Sequence, residues 1–272
     1  MTSMRPQFAP AECMLALLRI GAAATLSGRT VLLGRAIFYL VVVALLAAFW
    51  NLVAAERLPD TLASLLPVGG LAAYVAVTEW IVLSVPSIHL RMEDDIRSGA
   101  VEAYLLRPSS YPLLRIAETS GGMLVRLGVL GVAGIVASIL MGRAAIASTI
   151  WLSVAVLGVL GGVVGILLYA LVGLCAFWVR RTMPIYLCVQ KSSFLLGGLL
   201  APLTLYPDWL REIAEASPFA AQLYWPAAGV IAPGMATAWR ALMMETLWIV
   251  VLAVLVALLW RAGLRRLLRQ GV

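Results

Sequence analysis

Residues 89–118 read HLRMEDDIRSGAVEAYLLRPSSYPLLRIAE, and the rest of the chain is organised around this stretch. Arg91, Glu93, Asp94, Asp95, Arg97, Glu102, Arg107, Arg115 and Glu118 all fall within it, between long apolar runs. A chain of such apolar character has few reasons to keep so charged a piece, and docking a water-soluble partner is the best of them. The spacing predicts a short helix, with Ser98 as N-cap, Gly99 to Leu106 as about two turns and Pro108 as the stop. At ~1.5 Å per residue it is roughly 12 Å long, and Arg107 at its C-terminal end suits the helix dipole. Val101, Tyr104 and Leu105 complete the expected contact surface. For the dense cluster Glu93–Asp94–Asp95 three readings stand side by side: a solvated loop face, a docking face, and acid–base chemistry.

Outward from this stretch, composition fixes the class. Of 272 residues 63% are hydrophobic and only 12% charged, with a mean hydropathy of +1.00. A soluble domain carries about a quarter charged residues, so the chain is expected to be an all-α integral membrane protein. The formal net charge of +7 does not mark a nucleic-acid binder, because the basic residues sit at the ends of apolar runs, where topology signals belong. Cys13, Cys175 and Cys188 form no ligand-spaced set and read as packing residues. His89, the single histidine, lacks the neighbours a metal site needs.

The apolar runs predict six spans, at about 36–53, 68–88, 121–141, 146–178, 183–203 and 241–260. Residues 1–35 precede them as an amphipathic helix at the membrane surface: Leu15, Leu18, Ala22 and Leu26 share one face. Glu12 and Arg19 interrupt its apolar character, against a cleaved signal peptide. The run 146–178 is long for one span and short for two, so it is expected as one long or tilted helix. Its Gly158, Gly161, Gly162 and Gly165 suit close helix packing. A tight turn is expected at Gly142–Arg143. Between spans five and six, Pro202, Pro207, Pro218, Pro226 and Pro233 break the chain, and Asp208–Ala216 reads as a short amphipathic helix carrying Trp209. Two short helices dipping into the membrane fit this region, which includes Phe219. Fourteen of the twenty basic residues fall at the N-terminal side, in the 89–118 and 179–182 loops and in the tail. The positive-inside rule then places both termini and the charged stretch in the cytoplasm.

Chemical motifs are sparse. Lys191–Ser192 lacks the glycines of a phosphate-binding loop, since Gln190 and Ile185 occupy those positions. No GxSxG or HExxH occurs. Charges inside spans are expensive. Glu79 in span two and Lys191 in span five fall at similar depth, so they read either as a structural pair or as lining of a polar path. Arg126, near the inner end of span three, is expected to snorkel toward Glu118.

Three stretches resemble the permease subunits of ABC-2 type transporters, in their bacterial six-span branch. They are IRSGAVEAYLLRP at 96–108, FLLGGLLAPLTLYPDWLREIAEASPFAAQLYWPA at 194–227, and LWRAGLRRLLRQGV at 259–272. The resemblance implies a cytoplasmic coupling helix between spans two and three, and re-entrant helices between spans five and six. It further implies a bacterial inner-membrane location, a separate ABC ATPase dimer that holds ATP and magnesium, and a second permease subunit, identical or paralogous. No cofactor is expected on this chain. Two other functions remain in view: a membrane-embedded enzyme acting on lipid-linked substrates through Glu79 or the 93–95 acids, and a non-transporting scaffold that recruits an ATPase. The apolar spans favour an amphipathic or lipid-like cargo.

Overall fold

A computed structural model describes residues 10–56, 70–105, 110–140 and 148–269. Every regular element among them is helical, as expected where backbone groups must be satisfied within the segment. In chain order the helices are α1 (Pro10–Ser27), α2 (Arg29–Glu56), α3 (Gly70–Ser84), α4 (Ile88–Arg97), α5 (Glu102–Leu105) and α6 (Tyr111–Leu140). They continue with α7 (Ser148–Leu174), α8 (Met183–Leu196), α9 (Asp208–Glu215), α10 (Pro218–Gln222), α11 (Tyr224–Ile231) and α12 (Met235–Arg269).

Five described segments are long and apolar enough to cross a membrane: Arg29–Trp50, Gly70–Arg97, Tyr111–Ala137, Trp151–Phe177 and Met235–Arg269. The expected span 183–203 is not among them. Its helix, α8, ends at Leu196 after 14 residues, about 21 Å against a hydrocarbon core of ~30 Å. Gly198 has a φ of +66°, a left-handed turn that stops the helix, and its carbonyl accepts the Tyr74 hydroxyl at 2.7 Å. Two further boundaries move. α2 starts at Arg29 rather than Ala36, and α6 at Tyr111 rather than Gly121. The long run does form one helix, α7, closed by a 3-10 turn at Cys175–Phe177. The expected turn at Gly142–Arg143, with Arg107 and Pro108, lies outside the described residues.

Helix α7 is the central element. It is buried without interruption from Val164 to Ala170, and a helix apolar all round belongs in a core. Around it lie Met92 of α4, Tyr111, Met123 and Leu127 of α6, and Leu252, Val256 and Trp260 of α12. A second cluster joins α3 to the short helices through Tyr74, Ile81, Leu203, Leu223 and Trp225. The α7 glycines admit different neighbours. Gly158 faces the Trp80 ring, Gly162 faces Met123, and Gly161 and Gly165 face Gln222.

Helix α1 lies against α6 with the two backbones in contact. A methyl group at Gly21 would collide with the Glu118 carbonyl, and one at Gly121 with the Leu18 carbonyl. One at Gly122 would lie 2.7 Å from the Thr25 hydroxyl. Small residues on both partners permit such an approach. Large apolar side chains on α2 and α12, Leu33, Phe38, Leu45, Leu247 and Leu258 among them, point outward, as suits contact with lipid.

Candidate functional site

The charged stretch folds as a helix, a reversal and one further helical turn. Pro86 follows the end of α3, and a short bend leads into α4. Ile88, His89, Met92 and Glu93 of α4 are buried, while Leu90, Arg91, Asp94 and Arg97 are exposed. Close docking on α7 depends on Gly173, whose missing side chain leaves room for the Met92 Cβ and the His89 Cα. The expected helix from Ser98 to Leu106 is not present as such. Ser98 closes α4, its N–H donating to Asp94 O at 2.9 Å. Gly99 then adopts a φ of +76°, which only glycine takes without strain. The reversal carries Val101 into the core at 1% exposure, and α5 follows as a single turn.

Two acids on α4 anchor it, one on each flank. Glu93 accepts the Thr182 N–H at 2.8 Å and the Thr182 hydroxyl at 2.5 Å, and so holds the residue that begins α8. Arg97 approaches the same carboxylate at 3.5 Å. Asp95 accepts the Tyr111 hydroxyl at 2.6 Å and the Arg115 Nε at 2.8 Å. Arg115 also donates to Glu118 at 2.7 Å, Arg91 reaches Glu118 at 3.3 Å, and the Arg115 guanidinium lies 5.3 Å from the Tyr104 ring centroid. Tyr111 stacks on Trp260, with centroids 5.5 Å apart. At about 100° per residue, Glu93 and Asp95 diverge by roughly 200° around α4, with Asp94 between them on the open side.

Glu93, Asp95, Val101 and Tyr104 are therefore engaged inside the chain, whereas Arg91, Asp94, Arg97, Ser98 and Glu102 present an exposed face. The side chain of Leu105 falls outside the described residues. The chemistry of this end is that of a braced charged surface; its half-buried acids already have cationic or hydroxyl donors. Among the described residues no three metal-ligating side chains come together. Valine at Thr182 removes the shorter bond to a buried carboxylate. It should lower stability by about 1–3 kcal/mol in detergent unfolding, and Thr182→Ser should recover most of the loss.

The intramembrane charges do not meet as anticipated. Glu79 is buried on α3, in the electrostatic neighbourhood of Tyr39 on α2. Lys191 is exposed on α8, 5.2 Å from the Phe194 ring centroid. No ion pair joins the two among the described residues. The reason lies in α8: Thr182, Tyr186, Gln190 and Ser193 share its inner side, while Leu187, Lys191 and Leu195 share the opposite side. Among the described residues Arg126 likewise makes no ion pair with Glu118, which is taken by Arg115 and Arg91.

The proline-broken region forms α9 to α11. Pro202 precedes a 3-10 turn at Leu203–Leu205, and Pro207 sits before α9. Trp209 is 66% exposed. Pro218 opens α10, where the Ser217 hydroxyl accepts the Ala220 N–H at 3.2 Å, and Phe219 packs partly buried on the α7 core.

A polar seam along α8 escaped the sequence reading. His89 stacks on Tyr186 with centroids 3.9 Å apart, Gln190 donates to the Tyr186 hydroxyl at 3.0 Å, and Ser193 donates to Gln222 at 3.1 Å. The repeat of polar residues at 182, 186, 190 and 193 was the available signal. Glu245 was missed as well. It is fully buried on α12 with both carboxylate oxygens unpartnered among the described residues, and an acid inside ALMMETLWIV was there to be noticed.

A family model described as ABC-2 family transporter protein matches residues 66–271. No curated protein and no solved structure matches the chain.

Proposed function

The chain belongs to the ABC-2 transporter family, and on that premise we propose that it is the export permease subunit of a system powered by a separate cytoplasmic ATPase. The observation that carries this reading is the division of labour on α4. Its inner side and flanks are fixed to α6, α7 and α8, while Leu90, Arg91, Asp94 and Arg97 remain open to a partner. A force on that open face reaches three helices of the bundle through packing and short polar contacts. In this reading an ATPase dimer holding ATP and magnesium docks on residues 88–105, and a second permease subunit completes the pathway. Both termini face the cytoplasm of a bacterial inner membrane, following the distribution of arginines. α10 and α11 enter the membrane from the opposite face and return. α8, continued by the turn after Leu196, makes the remaining passage.

Purification of the tagged full chain from its own host tests the reading. A co-purifying subunit that releases phosphate from ATP is expected. The exposed-face variant Asp94→Arg should lower its recovery by about tenfold, as reversal of an interface charge does, with the permease still folded. Undiminished recovery would place the docking surface elsewhere and overturn the assignment.

A further inference from the structure

At the end of the bundle remote from the charged network, a cavity of about 390 Å³ opens between α9, α11 and the start of α12. Tyr224, Trp225 and Ile231 supply apolar wall, and Glu215, Thr237 and Arg240 supply polar groups. Arg240 is exposed and holds no ion pair among the described residues. Among the described residues the Glu215 carboxylate pairs with Arg211 alone, at 3.6 Å, and its backbone carbonyl accepts the Trp225 indole N–H at 3.1 Å. The buried Tyr224 phenol lies in the field of Glu215, Arg211 and Arg240. One hydroxyl thus lies in the field of both signs of charge.

The depth of this cavity relative to lipid follows from its neighbours. Trp209 and Ile213, one turn apart on α9, are 66% and 58% exposed, and Trp239 is 57% exposed. Amphipathic helices and exposed indoles mark the membrane–water boundary. Beyond Arg240, a shallow recess on α12 is bounded by Trp239, Met243, Leu247 and Val250. From residue 240 to 250 a helix rises about 15 Å, close to half of a ~30 Å hydrocarbon core.

We propose that this cavity binds the headgroup of an amine-bearing zwitterionic phospholipid, with its phosphate on Arg240, its ammonium toward Glu215, and an acyl chain along Met243, Leu247 and Val250. A cation alone would favour any anionic lipid. A cation and a carboxylate lining one cavity discriminate against a headgroup without an amine, which would give Glu215 neutral hydroxyls in place of an ammonium. The Tyr224 and Trp225 rings add a surface that attracts an ammonium. The assignment requires a chain set in a bilayer and does not depend on the docking of an ATPase, so failure of that reading leaves it standing.

The test uses the purified full chain in detergent, supplied in turn with phosphatidylethanolamine, phosphatidylglycerol and soluble phosphoethanolamine, with retained ligand counted by native mass spectrometry. Preferential retention of phosphatidylethanolamine is expected. Arg240→Gln should weaken it by about tenfold, the size of one lost charge-assisted contact, and Glu215→Gln should erase the preference over phosphatidylglycerol. Arg240 is exposed, so its variant reports binding even if Glu215→Gln fails to fold. Equal retention of the two lipids by the unaltered chain would overturn the proposal. So would retention indifferent to Arg240→Gln, or soluble phosphoethanolamine held as firmly as the lipid.

Discussion

Arg115→Ala unfastens α4 from α6 and lowers stability by about 3 kcal/mol, the lower end of the range for breaking a buried ion pair. The side chains of Arg115, Asp95 and Glu118 are only 12%, 15% and 17% exposed. Among the described residues Arg115 is the one cation that bonds both acids, with Nε and one terminal nitrogen at 2.8 Å from Asp95 and the other at 2.7 Å from Glu118. Without it, two largely desolvated carboxylates share a neighbourhood in which Arg91, itself 64% exposed, is the remaining paired cation among the described residues. Arg115→Lys keeps the charge but loses the planar fork, and should fall between the two. Unfolding of Arg115→Ala, Asp95→Ala and the double variant closes a cycle. A coupling of about 1–3 kcal/mol is expected for groups in one network. Near-zero coupling would reduce the network to surface decoration.

Gly121→Leu should part α1 from α6. A Cβ at this position already overlaps the Leu18 carbonyl, so a leucine demands that one helix axis move. Backbone against backbone gives no flexible side chain that can yield. The cost should reach about 3 kcal/mol, the upper end for overpacking. Limited proteolysis should then release residues 10–27 from a bundle that otherwise stays intact. Gly128, seven residues along the same helix, has open space where its Cβ would go. Gly128→Ala should leave cleavage unchanged and so separates crowding from any general intolerance of α6. Equal protection of α1 in Gly121→Leu would contradict this packing.

The helical membrane architecture was legible because it depends on sums over many residues. The run 146–178 is one helix for the same reason. The misplaced features depend on single backbone angles or on direction around a helix. Gly198 and Gly99 are the two described residues with positive φ; the first ends a helix where the apolar run continued, and the second turns the chain inside the charged stretch. The first shortens α8, and the second makes Ser98 an end instead of a beginning. Glu79 and Lys191 were matched by depth, but depth carries no azimuth, and Lys191 faces away from the core. The early start of α6 was hidden because Arg115 and Glu118 read as solvent-facing charges. Their partners, Asp95 and Arg91, lie 20 and 27 residues away in sequence and become neighbours only once α4 folds back. The charged stretch 89–118 was half legible: the residue types announced a charged end, while the split between Asp94, left open, and Glu93 and Asp95, bound inward, needed the fold.

That split has a mechanical consequence. Glu93 and Asp95 tether opposite flanks of a ten-residue rod, one to the start of α8 and the other to the foot of α6, and Gly173 seats the rod's back on α7. Such a rod behaves as a yoke on a pivot. Twisting it by the Asp94 side draws one tether taut as it slackens the other, so a single input is turned into opposed displacements of two helices that do not follow one another in the chain.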